Sequence, residues 1–364
     1  MGDIKLKKGT GILFVMAVLF ISSLIYLHYG DQNTLRVGIF YGSNWEVPGT
    51  VHYEILDQAI KKFESKYPNV KVEYEKGILS NDYSEWLSEQ ILKGTEPDVY
   101  LVLDEDFNTL ASLGALKNLD MLVGGDKEFD FNVFYSSVYK AGQYEGSQYA
   151  LPMECNPTLM FVNKTLLQKE GIKVPDNDCT WDDFYDICKT IVKDSDGDGQ
   201  MDQFGCYDYT WLQAVYSNGI TPFNQSGTSS NFLDEKFSQS LEFVKRLEAT
   251  NRNYQVTSND FDLGKVAFRP FTFSDYRTYM PYPWRIKKYS GFEWTCIRMP
   301  AGPSGDNRSE MSALMAGMSS RTEKKQCAWD FVKLLTTDTD IQKLVYEDTS
   351  AASVLKSVNT SQDT

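Results

Sequence analysis

Four aspartates and a glycine lie in a short stretch whose spacing suits a calcium ion. The aspartates occupy positions 1, 3, 5 and 9 of a loop that begins at Asp194, and Gly199 occupies position 6. Alternate carboxylates can then face one centre, while glycine permits the tight turn. Carboxylates this close repel one another unless a cation lies between them. The predicted metal ligands are Asp194, Asp196, Asp198, Gln200 (through its backbone carbonyl) and Asp202.

Position 12 of this loop is Gly205, so the bidentate glutamate of a complete EF-hand is missing. A remote acid or a water molecule must complete the coordination shell. The alternative interpretation is a solvated acidic turn that holds no ion. We expect a structural Ca²⁺ that braces the loop after it and does not itself contact a ligand.

Histidine is nearly absent, and this excludes several classes of enzyme. His28 and His52 are the only two among 364 residues, so a Ser-His-Asp or Cys-His site would depend on His52 alone. A site with several histidines around zinc or iron cannot be built. Acidic residues outnumber basic ones by 50 to 36, and a chain with a net charge of −14 is a poor partner for nucleic acid.

The N-terminus predicts a membrane segment. Three lysines precede an uncharged apolar run from Ile12 to Leu27. Extended from Gly9 to Tyr29, this run spans roughly 30 Å as a helix, with the N-terminus in the cytoplasm and the body outside. We expect residues 1–30 to be an uncleaved anchor. A cleaved secretory signal and a buried soluble helix are the alternatives.

Strand and helix patterns alternate in the first part of the body. The predicted elements are a strand at Leu35–Phe40, a helix near 51–66, a strand over 70–74, a helix from a capping box at Asp82 to Leu92, a strand at Val99–Leu103 and a helix near 107–113. This βαβαβ order predicts an α/β sheet. Longer helical patterns follow near Thr180, Leu233 and Ala328.

Several short motifs in a fixed order resemble one protein family. They are Leu151-Pro152, Asn163-Lys164, Thr180-Trp181, the acidic loop, Pro97-Asp98-Val99, Gly264–Phe268, Met299–Gly302 and Ala328–Phe331. Each motif is weak alone, but their order and spacing over roughly residues 35–355 are specific. Together they resemble the extracellular solute-binding proteins of family 1, which are sugar-binding components of ABC importers and include maltose-binding protein.

The resemblance implies the type II periplasmic-binding-protein fold, an α/β architecture in which two lobes close on a ligand. Hinge crossings are implied near Leu151–Asn156, Ile297–Pro300 and Ser319–Arg321. We expect a first lobe formed by 31–150 with 300–320, and a second lobe formed by 151–299 with 321–364. The resemblance implies a binding protein and not an enzyme, with no catalytic residues.

A sugar presents apolar C–H faces, which aromatic rings cover, and hydroxyl edges, which carboxylates and amides bind. Ligands of such sheets bind beyond the carboxyl ends of the strands. The loop after the first strand offers Tyr41, Asn44 and Trp45, and Asp104 and Glu105 follow the third strand. Trp45 is either a stacking platform or a structural residue. The two acids either accept ligand hydroxyls or form a charge cluster at a helix N-terminus.

The other candidate ligand contacts are implied by the resemblance. They are Glu154 and Asn156 on the hinge strand, Asp208, Tyr209 and Trp211 after the acidic loop, and Tyr276 and Trp284 in an aromatic wall. The implied function is a monomeric extracellular receptor that carries a mono- or oligosaccharide to ABC permease subunits. We expect it at the cell membrane of a Gram-positive bacterium.

Two other functions remain open. The lipobox typical of Gram-positive members is missing, because no cysteine precedes Cys155, and this favours a membrane-anchored ligand sensor as an alternative to an importer component. A cationic solute such as a polyamine is an alternative ligand, because the chain after residue 30 carries a net charge of −16. A glycosidase with paired carboxylates ranks below both.

Overall fold

A computed structural model describes residues 33–45, 52–224, 227–252, 254–279 and 291–360. The predicted anchor at 1–30 lies outside this part of the chain. Among the residues described, no helix combines the length and the apolar character that crossing a membrane requires.

The strands form one large mixed sheet and one small hairpin. The strands are β1 Thr34–Gly38, β2 Lys71–Tyr74, β3 Val99–Val102, β4 Gln143–Tyr144, β5 Ser147–Gln148, β6 Ala150–Asn163, β7 Phe204–Cys206, β8 Val266–Thr272, β9 Trp294–Ile297, β10 Met311–Met318 and β11 Ala352–Ser353. The large sheet has the order β2-β1-β3-β10-β6-β8-β7, with β9 and β11 also paired to β6. β1 is parallel to β2 and β3, β7 is parallel to β8, and β10 is antiparallel to β3 and β6.

Helices connect the strands and cover the sheet. They are α1 His52–Lys66, α2 Ser80–Lys93, α3 Asp104–Ser112, α4 Asp120–Gly125, α5 Ser136–Ala141, α6 Lys164–Lys169, α7 Trp181–Ile191, α8 Trp211–Ser217, α9 Glu235–Ala249, α10 Ser258–Asp262, α11 Phe273–Tyr279, α12 Lys325–Thr337, α13 Thr339–Asp348 and α14 Lys356–Asn359, with a 3₁₀ turn at Phe131–Val133. The α/β prediction is therefore confirmed, because strands and helices alternate and β1, β2 and β3 are parallel.

The long strand β6 belongs to two halves of the sheet. Its residues 150–157 pair with β10, whereas residues 158–163 pair with β8 and β9. A separate apolar core lies on each side of this change of partner. We call the half around β1, β2 and β3 the first lobe, and the half around β7 and β8 the second lobe. β10 lies between β3 and β6, so a second crossing lies at 311–318, just before the implied one at 319–321.

The first lobe forms where local patterns predicted it, with one local difference. All four residues of β3 are buried, as expected of a central strand with helices on both faces. The predicted capping box at Asp82 is wrong: α2 begins at Ser80, and its N-cap residue Leu79 makes no side-chain hydrogen bond. Backbone pairing explains the earlier start, because Tyr41 forms a bridge with Leu79 and accepts a hydrogen bond from the Ser80 N–H.

The C-terminal helices pack on the first lobe, and the assignment of 321–364 to the second lobe is wrong. α12 buries Trp329, Phe331 and Leu335 in the same core as β1 and β3. The ring of Phe331 meets that of Phe63 from α1 edge-on, with centroids 5.1 Å apart. The reason is topological, because β10 returns the chain to the first-lobe sheet immediately before α12.

The second lobe is built around helix α7. Thr180 and Asp183 form a capping box at the start of this helix, which was predicted near Thr180. Trp181 stacks on Phe243 of α9 with centroids 4.1 Å apart and planes 5° apart, so this tryptophan is structural. Helix α9 begins at Glu235, and the preceding Leu233 is fully exposed.

Candidate functional site

Two first-lobe segments follow the carboxyl ends of the neighbouring parallel strands β1 and β3. The segment 41–45 follows β1, and Asp104 begins α3 directly after β3. Trp45 is half-buried against the first-lobe core, and its backbone N–H donates a hydrogen bond of 2.9 Å to Ser43 Oγ. Tyr41 is 46% exposed, and Asn44 is half-buried. The structure thus brings the three predicted residues of this loop to one edge.

Trp45 is linked to the strand that joins the lobes. Its Nε1 donates a hydrogen bond of 2.8 Å to Oε2 of Glu154. Glu154 is fully buried in β6, opposite Leu314 of β10 and Ser353 of β11. A buried carboxylate requires hydrogen-bond donors, and the indole N–H supplies one. Trp45 and Glu154, predicted separately, therefore form one unit at the junction of the lobes.

Asp104 lies in a polar group contributed by three parts of the chain. Its side chain is exposed, yet surrounding protein atoms, with the charges of Glu105 and Glu310, raise the pKa of Asp104 to about 6. Burial likewise raises the pKa of Glu310, which precedes β10. The pKa of Tyr216 in α8 is raised by burial and by the charges of Glu310 and Asp104. A second-lobe hydroxyl therefore lies within electrostatic range of first-lobe acids.

Sequence reasoning missed Glu310 and Tyr216. Tyr216 lies in the short helix α8, and nothing in the sequence distinguishes it from any other partly buried aromatic residue. Glu310 ends a polar loop whose spacing carries no motif. No local signal distinguishes either residue, because their positions depend on how the segment before β10 and helix α8 are placed in the tertiary structure.

Asn156 connects the hinge strand to the second lobe. Its Nδ2 donates to Ser274 Oγ and its Oδ1 accepts from the Ser274 N–H, both at 2.9 Å. Asn156 is 6% exposed. Both ends of the amide are therefore used inside the protein, and this placement supports a role in positioning α11 and not the predicted contact with a ligand.

A groove of about 650 Å³ runs beside β7 in the second lobe, lined by Asp208, Trp211 and Tyr254 among others. Asp208 is exposed in a left-handed backbone conformation with φ of 63°. Burial and the charge of Asp275 raise the pKa of Asp208, while the Arg269 guanidinium opposes this shift. Asp208 and Asp275 follow the carboxyl ends of the parallel strands β7 and β8, which explains why their charges interact.

The aromatic candidates of the second lobe have different surroundings. Trp211 is 42% exposed and lies beside Phe237. Tyr209 is in the core: it is 6% exposed, and its hydroxyl accepts a hydrogen bond of 3.1 Å from Trp181 Nε1. The prediction that Tyr209 contacts a ligand is therefore withdrawn, because packing against α7 uses both its ring and its hydroxyl.

The last two aromatic candidates are Tyr276 and Trp284. Tyr276 is half-buried and packs edge-on against Trp294, with ring centroids 5.2 Å apart. Its ring also meets that of Phe161 in β6, so Tyr276 extends the apolar cluster around that strand. Trp284 lies outside the described residues.

The acidic loop gathers three of its four aspartates. Carboxylate oxygens of Asp194, Asp196 and Asp202 all lie within 4.8 Å of one another. The N–H groups of Gly197 and Gly199 donate to Asp194 and lower the pKa of that carboxyl. Both glycines have left-handed φ values, 83° and 89°, which a side chain would oppose.

Asp198 does not belong to this group of three. Its carboxylate accepts a hydrogen bond of 2.8 Å from the Gln200 N–H and therefore faces the backbone that follows it. The loop is tied to the start of β7 by the buried side chain of Gln203, whose Nε2 donates to Ser195 Oγ at 3.0 Å. The three carboxylates suit a hard cation such as Ca²⁺, with the remaining ligands to be supplied by carbonyl groups or water.

Comparison with known proteins identifies the family. The model of the family described as "Bacterial extracellular solute-binding protein" matches residues 48–341. The multiple sugar-binding protein of Streptococcus mutans is 28% identical over 138 residues, which span 37% of this chain and 30% of that protein.

Two solved structures share the fold. The cyclic alpha-maltosyl-1,6-maltose binding protein of Arthrobacter globiformis superposes with a TM-score of 0.71 at 15% identity, covering 91% of this chain and 81% of that one. The sugar-binding protein MalE of Xanthomonas citri gives 0.71 at 17% identity, covering 89% and 80%. The matched family and the Streptococcus protein are described as binding proteins, and the prediction of a non-enzyme is confirmed. The chain belongs to the bacterial extracellular solute-binding protein family.

Proposed function

We propose that this protein is an extracellular receptor that binds a mono- or oligosaccharide between its two lobes and delivers it to an ABC importer. One observation carries the proposal: the half-buried ring of Trp45 and the exposed carboxylate of Asp104 both follow the carboxyl ends of the neighbouring parallel strands β1 and β3. Trp45 is held by its hydrogen bond to the buried Glu154, and the charges of Glu310 and Asp104 add to burial in raising the pKa of Tyr216 in α8. Flat rings beside carboxylates suit the C–H faces and hydroxyl edges of a sugar.

The ligand class also follows the relatives. The Streptococcus protein is named for multiple sugars, and the Arthrobacter protein for a cyclic maltosyl-maltose. Both are binders of small saccharides, so a linear or cyclic glucose oligomer is the first ligand to test.

Closure of the lobes is the proposed mechanism. β6 and β10 carry the connection between the first lobe and the rest of the sheet, so a small rotation about them changes the distance between Asp104 and Tyr216. The pair Asn156–Ser274 lies beside this pivot and keeps α11 attached to β6. A ligand that contacts both lobes stabilises the closed form, which a membrane partner then recognises.

Calcium is proposed as a structural ion of the second lobe, held by Asp194, Asp196 and Asp202. The loop ends one residue before Gln203, and β7 then leads to Asp208. An ion that orders this loop would stabilise β7 and thereby the groove beside it. Concentrations outside cells suffice for a weak site, since extracellular calcium modules have a Kd of about 10⁻⁴–10⁻³ M.

A cationic ligand is a second candidate, favoured by the acids that gather at these strand ends. Burial raises the pKa of both Asp104 and Asp208; the charges of Glu105 and Glu310 add to this effect at Asp104, and the charge of Asp275 adds to it at Asp208. A polyamine would neutralise such a surface.

We propose further that residues 1–30 anchor a monomer to the membrane, where the partner is a permease or a sensor.

Calorimetry and thermal shift with a common ligand panel test the proposal. The panel comprises maltose, maltotriose, a cyclic glucose tetrasaccharide, mannobiose and spermidine. The midpoint of unfolding should rise with a sugar, because a ligand of the native state adds about 2.7 kcal/mol at one hundred times its Kd. A response to spermidine alone would replace the sugar proposal, and no response to any sugar would contradict it.

A further inference from the structure

Strand β8 carries a buried arginine whose role is not explained by hydrogen bonding. Arg269 is 9% exposed, and its Nε and Nη1 atoms are both covered and have no hydrogen-bond partner in the part of the chain that the structure describes. A guanidinium stays charged in proteins, and removing a charge from water is costly when its donors are left without partners. Arg269 therefore needs another reason to be charged at this position.

Three aromatic rings surround the guanidinium of Arg269. Its central carbon lies 4.0 Å from the ring centroid of Phe271, 4.8 Å from that of Tyr207 and 5.2 Å from that of Phe261. Attraction between the cation and the ring faces offsets part of the cost of burial. A neutral side chain such as methionine also packs favourably against aromatic rings. The rings therefore explain how the charge is tolerated, but they do not explain why a charge is present.

Arg269 lies beside the carboxyl end of β7. Cys206, the last residue of β7, pairs with Phe268, and the N–H of Tyr207 donates a hydrogen bond of 3.0 Å to the Phe268 carbonyl. Arg269 is the next residue along β8, and Asp208 is the next residue after Tyr207. Ligands of such sheets bind beyond the carboxyl ends of the strands, so the buried charge adjoins the edge that carries the proposed ligand site.

The charge of Arg269 acts on Asp208. Burial raises the pKa of Asp208, the positive charge of Arg269 lowers it, and the negative charge of Asp275 raises it further. Asp275 is fixed at the start of α11, where it accepts a hydrogen bond of 2.8 Å from Thr272 Oγ1. Arg269 thus opposes both burial and a neighbouring carboxylate, which would otherwise favour the protonated form of Asp208.

The other titratable groups around Asp208 have a weaker claim to this role. Those that line the same groove are Cys206, Tyr207, Tyr209, Lys245, Glu248 and Tyr254. Lys245 and Glu248 lie in α9 with exposed side chains, and water screens their charges. Arg269 is covered by protein, so its charge acts through a medium of lower dielectric constant and is screened less.

We propose that Arg269 is a positioning residue for ligand binding by the second lobe, because its buried positive charge beside the end of β7 keeps the acceptor charge of Asp208 available to a ligand hydroxyl. The proposal rests on the proposed function, since it assumes that Asp208 contacts the ligand. An ionised carboxylate accepts hydrogen bonds from hydroxyl groups more strongly than a protonated one. The buried charge is then retained for binding although it costs stability.

A carbon-13 NMR titration of the Asp208 carboxyl group tests the effect of the charge without a ligand. Arg269→Met removes the charge and keeps contact with the rings, so the pKa of Asp208 should rise above its wild-type value. Arg269→Lys keeps a cation and should restore most of the difference, whereas Asp275→Asn should lower the pKa of Asp208. Arg246→Met is the matched control, because Arg246 also lies over a ring, 4.3 Å from the centroid of Tyr185, but is half-exposed.

Thermal denaturation of the same variants separates this role from a structural one. Replacing a buried charge with an apolar side chain of similar size is often neutral or stabilising, so the midpoint of unfolding of Arg269→Met should not fall below that of wild type. Loss of the fold in Arg269→Met would identify a structural residue and overturn the proposal. An unchanged pKa of Asp208 in Arg269→Met would also overturn it, as would an equal rise in Arg246→Met.

Calorimetry with maltotriose tests the consequence for binding. Both proteins carry Asp104→Asn, which removes the titration of that carboxylate. Affinity should fall on acidification at a higher pH in Arg269→Met than in the protein with Arg269, and it should be at least ~3-fold weaker at pH 5. Identical pH profiles would overturn the proposal. If maltotriose binds neither protein, the proposed function fails, whereas the NMR titration still decides whether Arg269 acts on Asp208.

Discussion

The Trp45 indole donates a 2.8 Å hydrogen bond to Glu154, a residue 109 positions away on the strand that joins the two lobes. This contact links the loop after β1 to the junction of the lobes. The tryptophan is half-buried and the glutamate is fully buried. Movement of β6 in the proposed closure would therefore shift the Trp45 ring, which is a candidate stacking surface for a sugar.

Trp45 is expected to matter for ligand affinity. Trp45→Ala removes both the ring and the donor to Glu154, so sugar affinity should fall by ~10-fold or more, equivalent to about 1.4 kcal/mol. Trp45→Phe keeps a ring but removes the donor, and it should lower the midpoint of unfolding, since a hydrogen bond to a charged group contributes about 1.5–3 kcal/mol. Calorimetry and thermal denaturation measure the two effects.

Leu92→Ala is the matched control for Trp45. Leu92 is 88% exposed at the end of α2, away from the strand ends that carry the site. Its replacement should change neither affinity nor stability by more than about 0.5 kcal/mol. Unchanged sugar affinity in Trp45→Ala would remove this residue from the proposed site.

The raised pKa of Asp104 predicts a pH effect of definite sign. The folded-state pKa of about 6 exceeds the usual value of 3.8, so the ionised form is disfavoured in the folded protein. The penalty is present at pH 7 and disappears as pH falls through 6 toward 4. Asp104→Asn should therefore stabilise the protein at pH 7 relative to wild type, and this difference should vanish near pH 4.

Affinity should show the opposite trend. An ionised carboxylate accepts hydrogen bonds from sugar hydroxyls more strongly than a protonated one. Wild-type affinity should fall as pH decreases through 6, and Asp104→Asn should lose most of this dependence. Glu89→Gln, an exposed acid in the last turn of α2, serves as control. A wild-type profile that is flat from pH 5 to 7.5 would contradict the role of Asp104.

Removal of calcium is expected to destabilise the second lobe. EDTA should lower the midpoint of unfolding, and excess Ca²⁺ should restore it, because three clustered carboxylates repel each other without a cation. Asp194→Asn should abolish the response, whereas Asp178→Asn, which alters an exposed acid outside the loop, should retain it. Identical melting curves with EDTA and with Ca²⁺ would show that the loop is a solvated turn.

Substitution of Phe331 tests whether helix α12 packs on the first lobe. The residue is fully buried against Phe63, and Phe331→Ala should lower the free energy of unfolding by about 3–5 kcal/mol. Hydrogen exchange should become faster in β1 and β3, which share this core, before it does in β7 and β8. Faster exchange confined to β7 and β8 would contradict the first-lobe packing of α12.

Much of the architecture was accessible from local patterns. The strand that begins at Val99, the helix near Thr180 and the helix that contains Phe331 were predicted, because burial periodicity depends on neighbours a few positions away. The three clustered aspartates were also predictable, since all lie in one nine-residue stretch. The sequence could not distinguish Asp198 from these three aspartates, because its hydrogen bond to the Gln200 N–H depends on the conformation of the turn.

The sequence by itself determined the class of fold, the acidic loop and the aromatic and acidic residues at strand ends. Only the tertiary structure decided which of these residues meet. Asp104 and Glu310 are more than two hundred positions apart, and Tyr209 is buried while its neighbour Asp208 is exposed. The physical reason is that β10 and β6 cross between the lobes and bring distant segments together. Contacts made by such crossings cannot be predicted from spacing along the chain.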